Sequence, residues 1–444
     1  MLPQPETPTN NLYECIVTGA TGIYTLTWPQ LHIEAKVSRI SESRTYEITA
    51  GVIFTSKRIL SESSSQSGHL LESRVKLTST SGKKALAKSL SDLDGTVTWE
   101  IVTEQLSVAV LAEFRKGNPL VELSGDMNLM AEDKWMIRPI LQLYNPTLIY
   151  GPGSTGKSFF AQWLACLVDS GLPSAGLQVD QGRVLYLDYE TSEKEVNYRF
   201  TMIRRRLGLE GKSHIFYRSM TRGLYDDIER IREICIEKQI TFVIIDSMNS
   251  ACGEPEAADA VLRAFTALRS IKMPHDSTAS VTSLIVDHTN KEDKLFGSQA
   301  KFTQARLVFR AKNSQEESSD TIVLGIFHEK SNNSKLIKPI GFELVFHPED
   351  RTMSVIRKDV KDTALEEHMK VADRIANALS RSGKLTVSEI AEEIDKEESH
   401  VRKELSYGKK SGRFILLTDG KWALPARRDE IVRETFQREL EGEI

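Results

Sequence analysis

The hydrophobic rhythm of the chain changes twice. From residue 12 to about 125, short runs such as Tyr24-Thr-Leu-Thr-Trp28, Leu31-His-Ile-Glu-Ala-Lys-Val37 and Thr45-Tyr-Glu-Ile-Thr49 alternate apolar and polar positions. A period of two predicts strands with one buried face. The serine-rich stretch 61–68 predicts an exposed loop. Residues 82–93 and 99–115 then shift to a helical period. No catalytic constellation falls here, so residues 1–125 predict an α+β accessory domain, with 118–145 as the link to the next unit.

Between Pro146 and about Ile356 the apolar runs are unbroken rather than alternating. They fall at 147–150, 183–187, 241–245, 281–286, 306–309, 321–327 and 342–346, and helical stretches separate the earlier ones. Such a pattern predicts an α/β fold whose largely parallel sheet is covered on both faces. The last runs have no helices between them and predict an antiparallel extension. This core spans 126–360. A third rhythm occupies 361–426. Helices are predicted at 366–380, at 386–394 with Thr386 or Ser388 as cap, and at 397–410; two strands then flank an Asp419-Gly420 turn. Three helices followed by a hairpin predict a winged-helix domain. The charged stretch 427–444 predicts a solvated helix.

Composition narrows the class. At 444 residues the chain predicts two or three domains, and 40% hydrophobic with 27% charged residues is ordinary for a globular protein. No apolar run reaches the ~18 residues of a membrane span, and the first residues lack the pattern of a signal peptide, which predicts a cytoplasmic location. Cys15, Cys166, Cys235 and Cys252 form no close pair, arguing against a zinc site or a disulfide framework. A formal net charge of −4 excludes a globally basic nucleic-acid coat, so any nucleic-acid contact must be local.

The chemistry concentrates at strand ends. Gly151, Pro152, Gly153, Ser154, Thr155, Gly156, Lys157 and Ser158 spell the phosphate-cradling loop between a strand and a helix. Its glycines let backbone N–H groups and the helix start face an anion. Lys157 would reach the outer phosphates of ATP, and the Ser158 hydroxyl would take a place on Mg²⁺. Asp246 closes an apolar strand and is the candidate for the Mg²⁺ shell. Glu190 follows another strand and is the candidate to orient and deprotonate the attacking water. Two alternatives stand beside that reading: Glu190 as a helix cap, or Asp188 as the base. His288 ends a third strand, where it could touch the γ-phosphate or simply satisfy a neighbouring carboxylate.

The phosphate loop, Tyr186-Leu-Asp-Tyr-Glu190, Ile244-Ile-Asp246-Ser247 and Ile285-Val-Asp-His288-Thr-Asn-Lys291 together resemble the RecA-like ATPase superfamily. Within it they most resemble plasmid RepA-type hexameric helicases and related phage or mobile-element ATPases. The resemblance covers about 141–346. It implies that Glu190 polarises water, Asp246 serves Mg²⁺, His288 senses the γ-phosphate, and six subunits form a ring with ATP between neighbours. A positive charge from the adjacent subunit is also implied, at Arg306, Arg310 or Lys330; where related helicases read Lys-x-Arg, Asn332 stands here in place of the Arg. The loops 249–258 and 291–301 correspond to those lining a channel for single-stranded DNA. The first is acidic, while the second carries Lys291, Lys294 and Lys301. Arg402, Lys403, Lys409 and Lys410, with Arg413 and Lys421 nearby, give the third helix of the last domain a possible DNA face, although Glu397, Glu398 and Glu404 share it. A replication initiator or primase would be a natural partner. A nucleotide-switched DNA-binding regulator and a recombinase-type filament are the other readings.

Overall fold

The computed structural model describes residues 13–20, 23–43, 45–56, 68–117, 120, 122, 135–315 and 317–425. The serine-rich stretch up to residue 67, most of the link at 118–134 and the tail 427–444 lie outside the described residues. The chain divides into two compact units. One is 1–133 together with 226–236 and 270–279; the other is 134–225, 237–269 and 280–444.

In the first unit, β1 (Ile16–Ala20), β2 (Ile23–Trp28), β3 (Ile33–Glu42), β4 (Ile48–Ser56) and β5 (His69–Lys76) form an antiparallel meander in chain order. Every second residue of β4 is buried, as its alternating sequence requires. The covered face meets α1 (Thr80–Ser91) and α2 (Trp99–Lys116), with Phe54 edge-on to Trp99 at 5.7 Å between ring centroids. Ser79 accepts a bond from Gly82 N at 3.3 Å, so α1 begins two residues before its predicted start.

The second unit begins inside the expected link, with β6 (Trp135–Arg138) and β7 (Leu141–Gln142), whose Met136, Ile137 and Leu141 are buried. The chain continues through β8 (Pro146–Gly151), α3 (Lys157–Ser170), β9 (Gln178–Val179), β10 (Val184–Asp188), α4 (Glu193–Arg206), β11 (Ile215–Ser219) and α5 (Ile228–Lys238). Next come β12 (Phe242–Asp246), α6 (Met248–Ala251), α7 (Ala258–Ser270), the hairpin β13 (Lys272–Met273) and β14 (Asp276–Ser280), and β15 (Thr282–His288). Then follow α8 (Ala300–Gln304), β16 (Leu307–Ser314), β17 (Thr321–Ser331), β18 (Ile340–His347) and β19 (Thr352–Lys358).

Nine of these strands make one sheet, ordered β11-β10-β12-β15-β8-β16-β17-β18-β19. It is parallel from β11 to β16 and antiparallel beyond, as the pattern predicted. Every residue of β10 and β12 is buried, so both faces are covered. Tyr186, Ile244 and Val286 pack on the face held by α3 and α4, while Leu185, Ile245 and Ile285 are buried on the other. β11 and β19 escaped the sequence reading because Ile-Phe-Tyr-Arg-Ser and Thr-Met-Ser-Val-Ile-Arg-Lys are not unbroken apolar runs.

The C-terminal part holds α9 (Val371–Ser382), β20 (Lys384–Leu385), α10 (Val387–Glu393), α11 (Glu398–Lys410), β21 (Ile415–Leu416) and β22 (Trp422–Ala423). The single helix expected at 366–380 is instead a short turn, Ala364–His368, followed by α9. Met369 and Lys370 between them are extended, with ψ of 157° and 140°. Thr386, not Ser388, caps α10, and Glu389 completes a reciprocal capping box. A Cβ on Gly408 would lie 2.1 Å from Phe414 Cδ2, so glycine lets Phe414 close the small core against α11.

Candidate nucleotide site

The strand register brings the predicted residues to one sheet edge. Asp188 stands opposite Asp246 and Asp246 opposite Val286, while His288 stands opposite Gly151. Gly151 lies so close to β16 that a Cβ there would sit 2.4 Å from Ala311 O. The loop then turns through left-handed conformations at Ser154 (φ 57°) and Gly156 (φ 89°), and the Thr155 hydroxyl donates to Pro152 O. Lys157 is buried, with Nζ 2.9 Å from Gly151 O and 2.6 Å from Pro152 O. Burial pushes its pKa down to about 8, against the pull of Asp246, Glu190 and Asp287.

Asp246 is buried at the end of β12, where Tyr186 Oη donates to its Oδ2 at 2.6 Å and Ser158 also bonds to the carboxylate. Burial raises its pKa, opposed by those two bonds. Its Oδ1 has no hydrogen-bond partner among the described residues. An open carboxylate oxygen beside a hydroxyl is the donor set a hard oxygen-seeking cation uses, so Ser158 and Asp246 fit Mg²⁺. A divalent cation there would reverse the upward shift. Tyr186 received no role from the sequence. Its signal was a phenol inside an unbroken apolar strand, which needs a polar partner.

The alternatives for the water-activating group separate on geometry. Asp188 is buried and accepts from Glu190 N (3.0 Å), Thr191 N (3.2 Å), Thr191 Oγ1 (2.8 Å) and Tyr217 Oη (3.1 Å). Ser192 caps α4. Asp188 therefore organises the turn and Glu190 caps nothing. Glu190 remains about one-third exposed, with Oε1 2.9 Å from His288 Nε2. That bond leads the causes that hold its carboxyl below the ordinary range, helped by Ser247 and Lys157, so it stays ionised and able to accept a proton. His288 is satisfied by a carboxylate, and that carboxylate is the candidate base.

The three candidate finger residues differ in their commitments. Arg310 donates to Asp293 O and Oδ2 at 2.7 and 2.6 Å. Lys330 Nζ donates to three carbonyls at the end of α8, those of Phe302, Thr303 and Ala305, within 2.9 Å. Arg306 is exposed at the opposite end of the sheet, its N bonded to Pro146 O, and its charge bears on Arg269 and Lys330. Two of the three lysines in loop 291–301 differ from the expectation of free cations. Lys301 is fully buried against Asp287, and Lys294 pairs with Glu292 at 2.8 Å, leaving Lys291 as the exposed cation of the three not paired within its loop. In the C-terminal part Arg402 pairs with Glu398 and Arg413 with Asp373, while Lys403, Lys409 and Lys410 are exposed.

The AAA domain family matches residues 114–294, a span that contains the phosphate loop and the strands ending in Asp188, Asp246 and His288. Over that span the match agrees with what the sheet order and the phosphate loop show, a P-loop nucleotide-binding core on a largely parallel sheet. A KaiC-like protein from the hyperthermophilic archaeon Pyrococcus horikoshii is similar at 12% identity over 50% of this chain and 94% of that one. The TM-score between the two is 0.36. No curated protein matches the chain. Among the described residues no helix is long and apolar enough to cross a membrane.

Proposed function

We propose that this P-loop ATPase is a ring-forming motor on single-stranded DNA, a replicative helicase of a plasmid, phage or mobile element. The observation that carries the reading is a convergence at one sheet edge. The phosphate loop, Asp246 and the Glu190–His288 pair share that edge with the roots of loops 249–258 and 291–301, which pack on each other through Ser298 N and Pro255 O at 2.8 Å. Lys157 holds the outer phosphates of ATP. Ser158 and Asp246 would hold a Mg²⁺ ion, which would supply positive charge to the phosphates. Glu190 takes a proton from the attacking water at its carboxylate, and His288 holds Glu190 in place while facing the γ-phosphate position. Arg306, remote from its own phosphate loop, suits a charge given to the neighbouring subunit's ATP. Residues 361–426 form a winged-helix domain that contacts DNA or a replication initiator or primase.

A 5′-tailed fork tests the motor: strand separation should require both ATP and Lys157, and vanish in Lys157→Ala. ATP turnover without separation at any polarity would reject it. One observation favours a second reading. Lys291 stands nearly alone in the channel loops, whereas Lys403, Lys409 and Lys410 are exposed together on or beside α11. This suits a nucleotide-switched DNA-binding regulator, for which sequence-specific duplex binding without translocation is the diagnostic result.

A further inference from the structure

Lys301 and Asp287 form an ion pair with no side-chain exposure on either partner, Nζ lying 2.8 Å from Oδ2. Burying two charges contributes little net stability, so the arrangement they impose on their neighbours matters more than the pair itself. On one side, Asp287 Oδ1 accepts from His288 N at 2.9 Å, and the His288 ring meets Glu190 at 2.9 Å. On the other, Lys301 Nζ donates to Phe296 O at 3.2 Å and to Asn249 Oδ1. One ammonium thus joins the end of β15 to both edge loops, 249–258 and 291–301.

We propose that Lys301, acting through Asp287, is a positioning residue that sets His288 against Glu190 and ties that setting to the two edge loops. The inference rests on the reading of Glu190 as the water-activating base and deepens it. Lys301 touches neither nucleotide nor DNA. Its three contacts come from separate segments, so displacement of either loop pulls on the ammonium and, through Asp287, on the backbone that carries His288.

The test is a variant cycle in the full chain. Lys301→Met alone strands a buried carboxylate and risks misfolding. Asp287→Asn combined with Lys301→Met removes both charges while leaving an acceptor for His288 N. With folding confirmed by circular dichroism, its ATP turnover at saturation should fall about 10- to 100-fold, as for a misplaced reacting group. Affinity for a non-hydrolysable ATP analogue should change less than about twofold, because the phosphate loop is untouched. His288→Ala should cost a similar factor, and adding it to the double variant should cost nothing more, the mark of groups acting as a unit. Losses that multiply, or wild-type turnover in the double variant, overturn the proposal. Should the double variant not fold, Lys301→Gln enters the same cycle. Glu190→Gln, measured alongside, separates the two claims. Turnover surviving there removes the base assignment, while the cycle still decides whether Lys301 acts through His288.

Discussion

Lys157 shows how one side chain can link protonation to binding. Its ammonium sits among backbone carbonyls, and burial lowers its pKa to about 8. A triphosphate favours the charged form and raises that value again, so binding takes up a proton as pH climbs past 8. Affinity for an ATP analogue should be full below pH 8 and roughly tenfold weaker at pH 9, with proton uptake visible by calorimetry in buffers of different ionisation enthalpy. Folding carries the opposite sign. A lysine whose pKa is depressed in the native state costs stability while it must be charged, and that cost, on the order of 3 kcal/mol, fades between pH 8 and the unfolded value. Affinity that held steady through pH 9 would mean Lys157 is not the group gripping the phosphates. At this scale the positions of the phosphate loop, Asp246 and Glu190 at strand ends were legible in the sequence, because each is announced by its immediate neighbours. The Glu190–His288 contact was not, since the two belong to segments 98 residues apart.

At the scale of elements, the two loops after β12 and β15 behave as one packed edge. Gly297 has φ 81°, and a Cβ there would lie 2.3 Å from Pro255 O. Gly297→Ala should destabilise the fold by about 2–4 kcal/mol through backbone strain and overlap. Denaturant midpoints would measure it; a loss below about 1 kcal/mol would mean the loops are not locked together. Sequence reading saw 291–301 as a loop whose Lys291, Lys294 and Lys301 suit a nucleic-acid backbone. Folding instead buries Lys301 against Asp287 and pairs Lys294 with Glu292. Asp293, which the sequence did not single out, holds both Arg310 and Lys312.

At the scale of the whole molecule, the proposed ring would place Arg306 of one subunit at the ATP of the next. Arg306→Ala and Lys157→Ala should each abolish turnover in a homogeneous assembly. Mixed in equal amounts they should recover roughly a quarter of wild-type turnover, since a quarter of interfaces then join an intact phosphate loop to an intact arginine. No recovery, with mixed assemblies confirmed by native mass spectrometry, would place the donor elsewhere or within the same subunit.

The sequence by itself determined that a phosphate loop lies between a buried strand and a helix, that carboxylates close the neighbouring strands, and that the later strands run without helices between them. These are local properties, carried by apolar runs, turn residues and their spacing. Only the tertiary structure decided that Asp188 is consumed by four hydrogen bonds, that Tyr186 meets Asp246, and that Lys301 is an interior charge. The physical reason is that strand order and register choose which distant groups become neighbours. A charged side chain is free or committed according to those neighbours.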